Sequence, residues 1–312
     1  MSKFSFLGYE FTEIKLGDRS TLTDFLKRYP QPLTGYTFSM LATWASYFHY
    51  GWTFAEADTL LISCVLDPDP NIHLLQPVGP LSPQAAQQIY GAATGLSYPL
   101  KIIGVSDRFL KEYPDFVRPL AIREDRAVSN YLYRADSLAK LAGRKYSKKR
   151  NLLSQASNLY SWTSQMLTSV TIDSCFGVLE SIRAEENPAM EGMLGREVAA
   201  LECTLRHFDE FSQQGILVSV EGRPVAFSIF EEISPTTVAV HFERALRSYK
   251  GLYQVINCET AKVVTAQGFE FINREEDLGD AGLRDAKMSY HPIEIVPAYE
   301  LTCQKPDPGV SK

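Results

Sequence analysis

The hydrophobic pattern of this chain changes repeatedly between the period of a strand and the period of a helix. Between Val198 and Phe208, inside 194–212, apolar residues recur at helical spacing, whereas 215–234 alternates on both sides of the turn 221–224 as a hairpin does. The pattern predicts further helices at 20–29, 36–49, 84–94, 108–114, about 148–165, 252–268 and 281–290. It predicts further strands at 59–66, 72–79, 100–105, 127–135, 236–245, 269–273 and 293–301, with the first two paired.

Helices and hairpins interleave along both halves of the chain, which predicts the α+β (mixed α/β) class. The 312 residues are enough for two domains of ordinary size. A boundary near residues 150–170 divides the predicted elements into two halves of similar style. We therefore expect one domain at 1–150 and a second at 151–312.

Charge and cysteine content restrict the class of protein. The net charge is −6 and the pI is about 5.5, and an acidic chain is a poor general binder of nucleic acid. The five cysteines are scattered with no Cys-x-x-Cys pair, and the histidines show no metal-ligand spacing. Since no apolar run reaches about 18 residues and no signal-peptide pattern opens the sequence, we expect a cytoplasmic chain without a transmembrane segment, disulfides or bound metal.

The charge is distributed unevenly along the chain. Residues 140–150 contain basic side chains and no acid, whereas acids dominate residues 274–285. A basic run of this kind can bind the phosphates of a large anion, such as an RNA end or a lipid head group, and it also occurs as the solvated start of a helix. The candidate phosphate-binding residues of this run are Arg144, Lys145, Lys148, Lys149 and Arg150.

A second candidate phosphate site lies between the predicted strand 236–245 and the predicted helix 252–268. A helix N-terminus offers unpaired backbone N–H groups and a partial positive charge. Arg247, Lys250 and Gly251 add two cations and a residue that permits close approach, which together favour a phosphate or pyrophosphate ligand. The same residues also fit a solvated capping loop.

Candidate acid–base residues follow the predicted strand 269–273. Carboxylates in such a turn can orient an amine, and one whose pKa is raised by burial can act as a general base. An ordinary acidic loop that ends in the helix cap Asp280 gives the same pattern. On the preceding strand, His241 and Glu243 share one face of the sheet and form either a catalytic pair or a packed, hydrogen-bonded histidine with its neighbour.

Four runs of sequence jointly resemble the bacterial family similar to the C-terminal catalytic domain of phosphatidylglycerol lysyltransferase (lysylphosphatidylglycerol synthase). They are ADSLAKLAGRKYSKKRN (135–151), VSVEGRPVAFSIFEE (218–232), HFERALRSYKGLYQVIN (241–257) and INREEDLGDAGLRDAKMSYHP (272–292). The resemblance covers most of residues 130–300. It implies two tandem GNAT-like lobes, each a mixed, mostly antiparallel sheet flanked by helices.

The same resemblance implies transfer of an aminoacyl group from aminoacyl-tRNA to an amine or hydroxyl of a small molecule or lipid head group. The membrane enzymes carry a lipid-flipping domain that this sequence lacks, so a lipid acceptor is not assumed. Acyl-CoA is the alternative donor, because the segment around Gly251 resembles the pyrophosphate loop of GNAT enzymes. Ser248 and Tyr253 depart from its Arg/Gln-x-x-Gly-x-Gly/Ala signature. A non-catalytic ligand-binding module on the same fold is the third reading.

Most of the expected site residues come from the resemblance, whereas Arg247 and Gly251 come from the candidate phosphate site before the helix 252–268. The expected catalytic residues are Glu243, Lys250, Arg274, Glu275 and Asp277. Besides the basic run, the expected ligand-binding residues are Arg247, Gly251, Gln254, Asn257, Asn273, Gly279, Arg284, Lys287 and Tyr290. No cofactor is implied apart from the aminoacyl-tRNA or acyl-CoA donor, and the sequence does not indicate the oligomeric state.

Overall fold

The computed structural model describes residues 3–56, 58–185 and 193–303. Its contacts divide the chain into two compact units, the first formed by residues up to 129 together with those from 296 onward, and the second by residues 130–295. This division differs from the predicted boundary at 150, since residues 130–150 belong to the second unit and the chain returns to the first unit at its end.

The strands alternate with helices along both units. The strands are β1 Lys3–Phe6, β2 Tyr9–Glu13, β3 Gly51–Ala55, β4 Thr59–Leu66, β5 Asp69–Leu75, β6 Leu100–Ser106, β7 Ala121–Glu124, β8 Asn130–Arg134, β9 Trp162–Met166, β10 Gln214–Val220, β11 Arg223–Ser234, β12 Thr237–Ala245, β13 Phe271–Asn273, β14 Glu294–Val296 and β15 Ala298–Cys303. The helices are α1 Arg19–Arg28, α2 Phe38–Phe48, α3 Pro83–Thr94, α4 Asp107–Glu112, α5 Pro114–Val117, α6 Ala135–Lys140, α7 Ser147–Leu159, α8 Ile172–Glu185, α9 Met193–Arg206, α10 Phe208–Phe211, α11 Leu252–Ala266 and α12 Ala281–Met288. Among these described helices, none combines the length and apolar character needed to cross a bilayer.

The first unit is built on a mixed sheet with the strand order β1-β2-β3-β4-β5-β6-β15-β7 in the described residues. β5 and β6 run parallel, and the other pairs are antiparallel. The apolar face of α3, with Ala85 and Ile89, packs into a core that contains Phe11, Leu61 and Leu301. Ser82 caps α3 through the backbone N–H of Ala85, as the predicted Ser-Pro start requires.

The predicted strand 293–301 is in fact two strands in different sheets. Pro297 separates β14 from β15, and proline has no N–H to donate to a ladder. β15 then pairs antiparallel with both β6 and β7 of the first unit, whereas β14 lies next to β8 in the second unit. This change of sheet explains why the end of the chain belongs to the first unit.

The second unit is built on a sheet with the strand order β14-β8-β13-β12-β11-β10-β9 in the described residues. β10 and β11 form the predicted hairpin around Glu221 and Gly222, whose φ angles of 51° and 80° suit the tight turns that join antiparallel strands. β12 and β13 run parallel, and α11 connects them and buries Val255 and Val264 among its apolar residues. The predicted α+β class with two mixed sheets flanked by helices is confirmed.

The predicted helix 148–165 ends earlier than the sequence pattern indicated. α7 stops at Leu159, and Trp162–Met166 forms the edge strand β9, which pairs with β10. A strand is favoured here because aromatic and β-branched residues such as Trp162 and Thr163 suit a pleated surface. The partner strand lies about fifty residues further along the chain, so a local pattern does not show the pairing.

Candidate active site

The candidate site lies where β12 and β13 part from each other. The two strands pair only from Thr237–Phe271 to Ala239–Asn273, after which β12 continues to Ala245 and the chain after β13 turns away. Glu243 projects from this free part of β12, and Arg274 is the first residue after β13. Beyond Ala239 the two strands therefore leave an opening in the sheet, which is lined by side chains from both of them and from α11.

Glu243 is the centre of this opening. Its Oε1 accepts a hydrogen bond from Arg274 Nη2 at 2.9 Å, and its Oε2 accepts one from Asn257 Nδ2 of α11 at 3.2 Å. The side chains of Arg274 and Glu243 are only 14% and 11% exposed, and Asn257 is buried. A paired charge of this kind holds its geometry because either partner alone would be poorly solvated.

Two buried polar atoms beside Glu243 have no hydrogen-bond partner in the described chain. They are Arg274 Nη1, a donor, and Asn257 Oδ1, an acceptor. Both belong to groups whose other end binds Glu243, so the two atoms are held close to the same carboxylate. Buried polar atoms are rarely left without partners, and such an unpaired donor and acceptor are suited to a ligand that carries a carbonyl oxygen and an N–H group.

Tyr290 forms the aromatic wall of the opening. Its ring centroid lies 5.0 Å from Arg274 Cζ and 4.0 Å from Lys149 Nζ, and its hydroxyl interacts with the side chain of Gln254. Burial raises the pKa of Tyr290 to about 12, although the charge of Arg274 opposes this shift. Burial and the nearby charge of Arg274 lower the pKa of Lys149. The end of the basic run thus reaches the site.

A second ionisable cluster lies behind the site. His241, whose side chain is fully buried, contacts Glu275 through Nδ1 at 2.6 Å and Glu231 through Nε2 at 2.7 Å. Burial by itself lowers the pKa of His241, but Glu275 and Glu231 outweigh burial and raise it to about 10. The imidazole is therefore a cation at neutral pH, and it holds the turn after β13 against β11 and β12. Of the two readings of His241, the structure shows the packed, hydrogen-bonded one.

Glu276 follows Glu275 in the chain and has a strongly raised pKa. Burial, followed by the charge of Glu275, raises the pKa of Glu276 to about 7. Its Oε2 accepts a hydrogen bond from Asn130 Nδ2 at 3.3 Å. The sequence pointed to the acidic turn that contains Glu276 without singling this residue out, and it missed Glu231. An available signal was the pair of acids at 231–232, which interrupts the otherwise apolar strand β11.

Asp277 is placed differently from the other predicted catalytic residues. Its fully buried carboxylate accepts two hydrogen bonds from Arg284, both at 2.8 Å, one from the hydroxyl of Tyr131, and one from the N–H of Gly279. The pKa of Asp277 lies far below its usual range, chiefly because of the bonds from Arg284. A carboxylate held in this way stabilises a turn and is a weak base.

The remaining predicted residues of this turn also fix its shape. Lys287 Nζ donates to the carbonyl oxygens of Arg274 and Glu276, and burial lowers the pKa of Lys287. Asn273 Oδ1 accepts from the N–H of Glu275 at 2.9 Å. These contacts present Arg274 to Glu243 on a rigid support.

The loop before α11 is already occupied by a carboxylate of the chain itself. Glu185, at the end of α8, accepts hydrogen bonds from the backbone N–H groups of Arg247 at 2.7 Å and Ser248 at 3.2 Å. Although desolvation opposes it, a hydrogen bond from the Ser248 side chain, together with these two backbone bonds, lowers the pKa of Glu185. The N–H of Lys250 donates to the hydroxyl of Tyr160 at 3.3 Å, and within the described part of the chain Lys250 makes no hydrogen bond or ion pair with Glu243.

Gly251 supports helix packing in this loop. Its φ is 81°, and a Cβ at this position would lie 2.5 Å from the carbonyl oxygen of Leu152 on α7. The residue therefore allows α7 and α11 to pack closely. The strand that precedes this loop and the acidic turn do meet, but through Glu243 and Arg274 rather than through Lys250.

The basic run divides into three parts with different surroundings. Arg150 donates from Nη1 to the carbonyl oxygens of Leu141 and Gly143 and so holds the loop before α7. Lys149 is half-buried against Tyr290, as described above. Arg144, Lys145 and Lys148 form the third part and are exposed. Across residues 3–56, 58–185 and 193–303, no group of three or more His, Cys, Asp and Glu side chains is arranged to hold a metal ion.

The two sheets, with an opening where the parallel strands part, define a tandem GNAT-like protein. The family described as "Phosphatidylglycerol lysyltransferase, C-terminal" matches residues 26–302, and the chain belongs to this family. This confirms the resemblance seen in the sequence. No curated protein matches this chain.

Solved structures show the same fold. A Bacteroides thetaiotaomicron protein described as of unknown function is 29% identical, with a TM-score of 0.85 over 94% of this chain and 99% of that one. The C-terminal domain of a putative lysylphosphatidylglycerol synthetase from Agrobacterium fabrum is 15% identical, with a TM-score of 0.63 over 92% of both chains. The structure of L-PGS from Bacillus licheniformis is 14% identical, with a TM-score of 0.65 over 93% of this chain and 94% of that one.

Proposed function

We propose that the chain transfers an aminoacyl group from aminoacyl-tRNA to an amine or hydroxyl acceptor, in the opening between β12 and the turn after β13. Family membership supports an acyl-transfer reaction of the lysyltransferase kind. The observation that carries the proposal is the unpaired donor and acceptor beside Glu243, namely Arg274 Nη1 and Asn257 Oδ1. An α-aminoacyl ester carries the two matching groups, since its carbonyl oxygen accepts from Nη1 and its α-ammonium donates to Oδ1.

These residues fit the chemistry of an activated ester. The acceptor nitrogen or oxygen forms a bond to the ester carbonyl carbon, and the bond from that carbon to the ribose oxygen of the tRNA breaks. Arg274 stabilises the negative charge that develops on the carbonyl oxygen. Glu243 accepts hydrogen bonds from Arg274 and Asn257, whereas Asp277 accepts four, so Glu243 keeps lone pairs free to act as a base. It takes the proton that the acceptor loses and passes it to the departing ribose oxygen. The rigid turn around Asp277 and Lys287 keeps Arg274 in position.

The basic run supports a tRNA donor. Lys149 contacts the wall of the opening, and Arg144, Lys145 and Lys148 are exposed in the same short segment. Cations that continue from a site onto the surface suit a ligand whose phosphates extend beyond the reacting group. A tRNA donor also fits the expected cytoplasmic location.

The acyl-CoA alternative has less support. A pyrophosphate in the loop before α11 would need the N–H groups of Arg247 and Ser248, which the carboxylate of Glu185 already occupies. An acetyl group also has no N–H donor for Asn257 Oδ1. Ser248 and Tyr253 also depart from the GNAT signature, which further weakens the case for acyl-CoA.

A hydroxamate assay tests the proposal without knowledge of the natural acceptor. Hydroxylamine replaces the acceptor, and the aminoacyl hydroxamate released from charged tRNA is measured against the uncatalysed rate. We expect Arg274→Lys and Asn257→Ala to reduce the enzymatic rate by about ten-fold or more, because each removes one of the unpaired atoms. Arg134→Lys is the matched control, since Arg134 is 48% exposed and its pair with Glu270 is long at 3.5 Å.

Two results would contradict the proposal. One is a wild-type rate equal to the uncatalysed rate with several charged tRNAs, which would leave the non-catalytic binding module as the better reading. The other is a wild-type rate that Arg274→Lys and Asn257→Ala do not change, which would place the chemistry elsewhere.

A further inference from the structure

The first unit contains a cavity of about 340 Å³ that the proposed reaction does not use. It lies between the end of α1 with the chain that follows it, the segment after β5, and α4. Its volume is in the lower part of the range of small-molecule sites. All residues that line it belong to the first unit.

A chain of buried polar side chains forms the support of this cavity. Gln76 Oε1 accepts from the N–H and the hydroxyl of Ser106 at 2.8 and 2.9 Å, and Gln76 Nε2 donates to Gln31 Oε1 at 2.8 Å. Gln31 Oε1 also accepts from Arg108 Nη2 at 3.1 Å. Arg108 Nη2 donates in addition to the carbonyl oxygen of Pro30 at 2.7 Å. The chain of bonds therefore starts in the core and ends at a guanidinium group.

Burying these polar side chains costs free energy that packing alone does not require. Gln76 is 3% exposed and Gln31 is 9% exposed, and apolar residues of similar volume would fill the same space without needing hydrogen-bond partners. The bonds fix one nitrogen of Arg108, while the rest of its planar group stays at the exposed edge of the cavity. A guanidinium held in one orientation binds a carboxylate or phosphate with little loss of conformational entropy.

The other walls indicate the kind of ligand. Arg28 adds a second guanidinium, which is 62% exposed and whose contact with Asp58 is long at 3.9 Å. The charged residues that line the cavity are Arg28, Arg108 and Glu112, so two positive charges face one negative charge. The aromatic walls are Tyr29, Phe109 and Tyr113, and the last two rings pack with centroids 4.9 Å apart.

We infer that this cavity is a binding site for a small organic anion, with its carboxylate or phosphate head on Arg108 and Arg28 and its apolar body against the aromatic walls. The site is independent of the opening in the second unit and of the reaction proposed there. Both head groups share the same recognition chemistry, and the experiment separates them.

Isothermal titration with phenyl phosphate, phenylacetate and the uncharged benzyl alcohol tests the inference on the full chain. We expect one or both anions to bind wild-type protein, and benzyl alcohol to bind at least about ten-fold more weakly. Arg108→Gln should weaken anion binding by about ten-fold or more, and Arg108→Lys should retain part of it. Arg118→Gln, at an exposed arginine of the same unit, is the matched control and should bind as wild type does.

Circular dichroism and thermal melts establish that each variant is folded before titration. The stronger of the two anions identifies the preferred head group. The inference is overturned if wild-type protein binds neither anion at about 10 mM, if benzyl alcohol binds equally well, or if folded Arg108→Gln binds the anions as wild type does.

Discussion

Arg274 Nη2 lies 2.9 Å from Glu243 Oε1, and this contact joins the free end of β12 to the turn after β13. The two residues are 31 positions apart in the sequence, and α11 lies between them in the chain. Because the two side chains meet there, they line the gap that opens between the parallel strands β12 and β13.

Removing the charge of Glu243 should destabilise the fold. Glu243→Gln leaves the guanidinium of Arg274 buried without a counter-charge, and breaking such a pair costs about 3 kcal/mol of unfolding free energy. Urea denaturation measures this change. Glu270→Gln is the matched control, because its pair with Arg134 is about half exposed and should contribute at most about 1 kcal/mol. Equal effects of the two substitutions would show that the Glu243–Arg274 pair is not buried as described.

Stability should fall as the pH rises through the alkaline range because of His241. Its pKa is raised from 6.5 to about 10 in the folded state. The stabilisation by the imidazolium is therefore complete below about pH 6.5 and is lost as the pH approaches 10, by roughly 2 to 4 kcal/mol. Urea denaturation between pH 7 and 10 measures the fall. His241→Gln should remove this pH dependence, whereas His207→Gln, at a partly exposed histidine, should leave it unchanged.

Glu276 should also make the stability fall as the pH rises, in a lower pH range than His241 does. Its pKa is raised from 4.5 to about 7, so the folded state favours the protonated acid, and stability falls as the pH rises through this window. Glu276→Gln keeps the shape of the protonated acid and should raise the unfolding free energy at pH 8 by about 1 to 3 kcal/mol. Glu232→Gln on β11 serves as the control. A loss of stability in Glu276→Gln would contradict the raised pKa.

The carboxylate of Glu185 should decide whether the loop before α11 accepts phosphate. We expect wild-type protein to show no heat of binding with acetyl-CoA. Glu185→Ala frees the N–H groups of Arg247 and Ser248, so this variant should bind inorganic pyrophosphate measurably more tightly than wild type. Glu180→Ala, on the same helix, is the control. Clear binding of acetyl-CoA to wild-type protein would favour the CoA-dependent alternative.

The exposed part of the basic run should account for tRNA affinity. Replacing Arg144, Lys145 and Lys148 together by Gln should weaken tRNA binding and reduce the slope of log K against log salt by about 2 to 3. Filter binding at several salt concentrations measures both. The matched control carries the same charge change in the first unit, at Lys27, Lys111 and Arg118. An unchanged salt slope in the first triple variant would place the tRNA surface elsewhere.

The sequence predicted part of the second unit from local signals, although it did not predict α8 or β9. The turn at Glu221 and Gly222 and the helix that precedes β13 have strong local signals, and both were found. Glu243, Arg274, Asn257 and Tyr290 were named through the family resemblance, and the structure brings them together. Their spacing alone did not distinguish them from the neighbouring acids.

What the sequence did not predict depends on contacts between distant residues. β15 pairs with strands about 180 to 200 residues earlier in the chain, and no local pattern specifies that pairing. The bonds from Arg284 remove Asp277 from the set of available bases, and the carboxylate of Glu185 fills the predicted phosphate loop. In each case the partner decides what the residue does, and the partner is known only from the fold.

A crystal structure with a stable, amide-linked aminoacyl-adenosine would show whether the donor binds beside Glu243. We expect the carbonyl oxygen of the ligand to lie within hydrogen-bond distance of Arg274 Nη1 and its α-ammonium to contact Asn257 Oδ1. A complex in which the ligand binds elsewhere, while these two atoms are bridged by water, would contradict this expectation.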